Sequence, residues 1–221
     1  MGDGRRPEAL PDERIYELTT RNRLMIADVL EGLRDDQWRH DTLCRGWDVH
    51  TVAAHLLQPM LVGFGRLVLA ALRHRGDTDL AVDRVTRRLA RRDRTEIIGL
   101  LREHASDEVS PTRVGPMGPF AETCVHLRDI ARPLGLAADV PTAHWTTLLD
   151  YLCAPGAAAA LVPPGRLDGL RLEATDAAWS AGPGATLSGP VEALGMAVTG
   201  RPDALGELRG PGVALLRSRI A

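Results

Sequence analysis

Hydrophobic positions along this chain recur mostly at steps of three and four residues, the spacing that puts side chains on one face of an α-helix. Tyr16, Leu18, Leu24, Ile26, Val29, Leu30 and Leu33 follow this rhythm, with Pro11-Asp12-Glu13 as an acidic first turn ahead of them. A first helix is therefore predicted to about Leu33, after a disordered leader over residues 1–10. Residues 35–46 form a connection that Trp38 and Leu43 are expected to pack. A second helix is predicted over residues 48–74, with Asp48 as its N-cap. Pro59 lies within it, and the backbone bond it removes predicts a kink near Leu56. A third helix spans residues 80–104, with Leu89, Ile97, Ile98, Leu100 and Leu101 turned inward. The fourth, residues 120–132, lies between a Pro/Gly-rich connection (111–119) and the stop signals Pro133 and Gly135.

Past Pro141 the pattern changes. Residues 145–161 read as a fifth helix, 169–175 alternate like a strand, 185–188 make a second strand and 191–199 an apolar helix. Residues 213–220 fit either a helix or a strand. The prediction is a mainly α protein: a four-helix bundle over residues 11–137, then a small α+β domain over 138–221. At 221 residues, with 44% hydrophobic and 25% charged side chains, the chain has the composition of a folded protein with a sizeable core.

Charge removes some classes of partner. The formal net charge of −2 offers no overall attraction to nucleic acid or to an anionic membrane. The run from Arg84 to Arg94 is basic but lacks interleaved aromatic residues, and reads as a solvated helix face. Cys44, Cys124 and Cys153 are odd in number and show no CxxC spacing, so no disulfide framework is indicated. No signal-peptide core and no apolar run of ~20 residues is present, and the cytoplasm is the expected location.

Candidate chemistry centres on His55, which sits in the apolar run Val52-Ala53-Ala54-His55-Leu56 and needs polar company. Glu122 and His126 are four apart, so on a helix they point at one spot. Together the three residues read as a divalent-metal site. Two imidazoles and one carboxylate leave a coordination position open, which separates a catalytic centre from a closed structural one. Zinc suits these donors, while nickel, iron or manganese remain open. Without a metal, Glu122 and His126 would be an ordinary i,i+4 pair worth ~0.5 kcal/mol or less. Asp129 is positioned either to accept the second ring N–H of His126 or to pair with Arg128 or Arg132. His50 falls about 140° round the helix from His55, counting roughly 100° per residue, and is excluded. Cys124 is assigned to the core, and Trp47 and Trp179 to packing.

The segment carrying Cys44, Gly46, Trp47, Val52, Ala54, His55 and Leu56, followed by Glu122-x-x-x-His126, resembles the mycothiol-dependent maleylpyruvate isomerase family of DinB-like metalloenzymes. Thr199-Gly200-Arg201-Pro202 and Leu208-Arg209-Gly210-Pro211-Gly212 resemble that family's C-terminal domain. The resemblance implies a DinB-like bundle holding zinc through one histidine on its second helix and a Glu-x-x-x-His pair on its fourth. His55, Glu122 and His126 match these positions. Cys124 stands where the family often has tryptophan or tyrosine. Arg201, in the TGR segment, is the candidate catalytic and cofactor-binding guanidinium, suited to grip a carboxylate. The implied function is a metal-dependent, mycothiol-using enzyme, either a cis-trans isomerase or a thiol S-transferase. A divalent cation deprotonates a thiol bound to it and so supplies the nucleophile. The expected partners are a small-molecule substrate and a low-molecular-weight thiol, with the chain a monomer or homodimer. A non-catalytic binding module and a metal-dependent hydrolase remain as alternatives.

Overall fold

Helix α1 (Asp12–Glu31) opens on Asp12 and Glu13, whose charges favour the amide-rich end of a helix. Its inward face buries Leu18, Ile26, Ala27 and Leu30. Thr19, Asn22 and Arg23 are the polar residues buried with them, and Asn22, fully buried, donates to Thr123 Oγ1 at 3.0 Å and to Cys124 Sγ at 3.3 Å. A buried amide without such partners would cost about 1–3 kcal/mol. The structure, a computed structural model, describes residues 10–62, 77–112, 114–155, 159 and 161–220. Residues 1–9 of the expected leader, the second helix beyond Val62 and most of the 157–160 alanine run lie outside these.

After α1, a short 3₁₀ turn, Gln37–Arg39, buries Trp38, so the connection is packed as expected. Helix α2 (Val49–His55) starts at Asp48, whose carboxylate accepts the Thr51 amide at 2.8 Å. It stops one residue before Leu56, and a short helix α3 (Gln58–Leu61) follows. Pro59 has no N–H to offer the carbonyl of His55 four residues earlier. The predicted kink is thus a break directly after the candidate ligand.

The third helix is corrected. It is two helices, α4 (Thr78–Leu89) and α5 (Arg94–Glu103). Asp93 caps the second by accepting the Glu96 amide at 2.8 Å, and the Asp-x-x-Glu step that signals a helix start was present in the sequence. Helix α6 (Met117–Ala131) begins three residues earlier than expected, because Pro119 falls in the first turn, where its missing N–H has no intrahelical acceptor to lose. Nearly all of α6 is buried. Helix α2 packs against α4, α5 and α6.

In the C-terminal part, helix α7 (Thr142–Leu152) is shorter than the predicted 145–161. Pro155 disfavours helical backbone at the residue before it, which ends the element. Strands β1 (Leu170–Ala174) and β3 (Ala185–Gly189) pair in parallel, and the two-residue β2 (Ser180–Ala181), not foreseen, pairs antiparallel to β1, giving the order β2-β1-β3. Gly182, at φ 83°, carries the chain past the Leu170 carbonyl, a space any side chain would collide with. Helices α8 (Val191–Val198) and α9 (Gly212–Ile220) complete this part, the last segment being helical.

Contacts divide the chain into one unit of Tyr16–Asp139 and another of Val140–Ala221 with the residues up to Ile15. Among the described residues no helix is long and apolar enough to cross a membrane.

Replacing Asp93 with alanine removes the cap that separates α4 from α5. Chemical denaturation is expected to show a loss of about 0.5–2 kcal/mol, the usual range for an N-cap. No change in midpoint would mean that something other than Asp93 sets the break.

Candidate metal centre

His55 reaches its place because α2 is anchored by residues that water cannot reach. Val49, Val52, Ala53 and Ala54 are fully buried, and the helix ends on the histidine. Its Nε2 lies 2.8 Å from Glu122 Oε2. From α6, His126 Nε2 lies 2.9 Å from the same oxygen. The two rings stand edge to face with centroids 5.0 Å apart. The structure therefore brings His55, Glu122 and His126 together, from helices separated by more than sixty residues of chain.

Each histidine is also held on its other nitrogen. His126 Nδ1 lies 2.8 Å from Asp129 Oδ2, and Asp129 is fully buried. His55 Nδ1 faces the hydroxyl of Thr86 at 3.3 Å, also fully buried. These contacts suit tautomers that donate from Nδ1 and leave Nε2 lone pairs aimed at one point, as metal-ligating imidazoles do. The Trp47 ring packs against His55 with centroids 5.0 Å apart, while its Nε1 donates to Asp83 at 2.9 Å. His50 points elsewhere, to the Ala90 carbonyl at 3.0 Å.

The donor set fits a divalent ion. Donors round a tetrahedral ion at ~2.0–2.2 Å sit ~3.3 Å apart, so the present spacings of 2.8 and 2.9 Å need to open by about half an ångström. Glu122 is the ligand free to move, since its side chain is 31% exposed against 10–11% for the two histidines.

Cys44 was missed as a neighbour of this centre. Its thiol donates to Asp129 Oδ2 at 3.1 Å and lies 3.5 Å from His126 Nδ1. The turn that delivers it closes with the Trp47 amide donating to the Cys44 carbonyl at 2.9 Å, and Gly46 takes φ 79° within it. The Leu43 amide ties the same loop to the Asp129 carbonyl at 3.2 Å. A Cys-x-Gly-Trp turn is legible in sequence. Its docking on a helix more than eighty residues away is not.

Arg201 lies in the C-terminal unit, where it precedes a 3₁₀ turn, Pro202–Glu207, and donates from Nη1 to the Thr199 carbonyl at 2.8 Å. Cys124 is buried, as assigned, and burial pushes its thiol pKa up.

Electrostatics bind the triad without a metal. Burial opposes charge on Glu122, but the charges and hydrogen bonds of His126 and His55 outweigh it and hold the carboxyl well below its usual range. Burial likewise opposes a proton on His126. The nearby sulfur of Cys44, the charge of Glu122 and the hydrogen bond to Asp129 outweigh that and raise its pKa well above the ordinary value. In metal-free protein, NMR titration is expected to place the His126 midpoint above 6.5, and Glu122→Gln should lower it. Because proton and metal compete for Nε2, metal uptake should strengthen as pH rises through that midpoint. A His126 midpoint indifferent to Glu122→Gln would contradict the coupling.

Residues 23–110 match the family described as the Mycothiol maleylpyruvate isomerase N-terminal domain. No curated protein matches the chain. Two solved structures share its fold. A mutant of the mycothiol-dependent maleylpyruvate isomerase aligns over 91% of this chain and 93% of its own at 16% identity, with a TM-score of 0.57. Another structure of the mycothiol-dependent maleylpyruvate isomerase gives the same coverage and identity with a TM-score of 0.55. The resemblance read from the sequence is thereby borne out: by the family match residues 23–110, and by fold most of the chain, are similar to the mycothiol-dependent maleylpyruvate isomerase family.

Proposed function

We propose that this protein is a metal-dependent, mycothiol-using enzyme that works on a small electrophile as a cis-trans isomerase or a thiol S-transferase. The observation that carries the reading is the placement of Glu122 Oε2 between the Nε2 atoms of His55 and His126 at 2.8 and 2.9 Å. Zinc is the ion these donors favour. When bound there, a divalent ion would lower the pKa of a thiol at its open position. Without such help only a few per cent of a thiol with pKa near 8.5 is ionised at neutral pH.

The chain's own residues set the conditions. Asp129 and Thr86 fix the two imidazoles through their Nδ1 atoms. Trp47 packs against one side of the His55 ring. Glu122 balances charge and is exposed enough to give way as a thiol enters. In the isomerase reaction, sulfur adds to a conjugated cis double bond, the resulting single bond rotates, and expulsion of the same sulfur returns the trans product and free thiol. In the transferase reaction, sulfur displaces a leaving group and stays on carbon. Arg201 is assigned the carboxylate of the substrate or of the thiol cofactor. Dependence on a reduced low-molecular-weight thiol places the activity in the cytoplasm.

Cobalt-substituted protein at one equivalent, titrated with mycothiol, is the test. A sulfur-to-cobalt charge-transfer band should grow to saturation, and His55→Ala should abolish it. Turnover of a model ester without thiol, with no such band, would favour water at the open position and a hydrolase. Neither response would leave a binding module.

A further inference from the structure

The His126 ring faces acceptors on both sides, and the Nδ1 side is itself a ligand set. Cys44 Sγ, His126 Nδ1 and Asp129 Oδ2 are separated by 3.5 Å (sulfur to nitrogen), 3.1 Å (sulfur to oxygen) and 2.8 Å (nitrogen to oxygen). A tetrahedral ion with Zn–S of ~2.3 Å and Zn–N or Zn–O of ~2.0–2.1 Å needs donors ~3.3–3.6 Å apart. The sulfur-to-nitrogen distance is already at coordinating length, and the other two need to open by about half an ångström, as in the first cluster. Asp129 is fully buried and Cys44 partly exposed, so the set has a fixed floor and an open approach.

We propose that Cys44, His126 and Asp129 form a second binding site for a thiophilic divalent ion such as zinc or cadmium, sharing the His126 imidazole with the first site. Binding displaces two protons to solvent, one from Cys44 Sγ and one from His126 Nδ1, both of which point at Asp129 Oδ2 in the metal-free arrangement. With both sites filled, two dications face the negative charges of Glu122, Asp129, the Cys44 thiolate and the imidazolate, and the charges cancel. An exposed thiolate ligand makes this site selective for softer ions. It goes beyond the proposed activity and does not depend on it. Filling it removes the Nδ1–H that orients His126, so excess zinc or cadmium should inhibit whatever the first site catalyses.

The test uses the full chain with cobalt and no added thiol. The first site has only nitrogen and oxygen donors, so a sulfur-to-cobalt band in the absence of thiol reports the second. The band should appear on titration past one equivalent, be lost in Cys44→Ser, and persist in His55→Ala, which disables the first site alone. A parallel measurement needs no variant: zinc added beyond one equivalent should protect Cys44 of the wild-type chain from alkylation, read by peptide mass spectrometry. Burial raises the thiol pKa of Cys124, and burial with Asp150 nearby raises that of Cys153 to about 12, which keeps both from mimicking the signal. Absence of a band up to saturation with no protection of Cys44, or a band that survives Cys44→Ser, overturns the proposal. If the first site proves empty while the Cys44 band appears, this proposal stands and the thiol-enzyme reading fails.

Discussion

His126 is a polar ring on a helix with almost no exposed face, and both of its nitrogens are engaged at once. Nε2 meets Glu122 at 2.9 Å and Nδ1 meets Asp129 at 2.8 Å. Burying such a group is costly unless each polar atom finds a partner, and here the partners come from the histidine's own helix at four residues before and three after. The pair of spacings holds the ring from within its own helix. The rest of the bundle then has to deliver His55, Thr86 and Cys44 to the places this ring leaves for them.

That delivery explains what could be read in the sequence. Glu122 and His126 were legible because a helical step puts them together locally, and Asp129 because three more residues return to the same face. The break after His55 was legible because proline acts through the backbone alone. Asp48 announced itself as a cap for the same reason. By contrast, the division between α4 and α5 falls in the polar stretch 91–96, which reads as readily as the solvated face of one long helix, and only the Asp93-to-Glu96 step marks the second start. The two-residue β2 was too short to show alternation. Cys44 and Thr86 join the centre through tertiary packing, for which no spacing rule exists.

The similarity to mycothiol-dependent maleylpyruvate isomerase structures spans most of both chains at 16% identity, so it establishes the fold and leaves the chemistry to the residues. Those residues are specific. Two imidazoles and a carboxylate converge on one point, the histidines' second nitrogens are committed to buried acceptors, and the carboxylate is the least buried of the three. A structural zinc site would be closed by a fourth protein donor, whereas the Cys44 sulfur meets the opposite, Nδ1 side of His126.

The most direct measurement is X-ray absorption at the zinc edge for protein loaded with one equivalent of zinc and no thiol. The account predicts nitrogen and oxygen scatterers only, at ~2.0–2.2 Å, with the outer-shell pattern of two imidazoles, and a sulfur at ~2.3 Å that enters on adding thiol. A sulfur ligand present before thiol is added, or protein that retains no zinc, would contradict it.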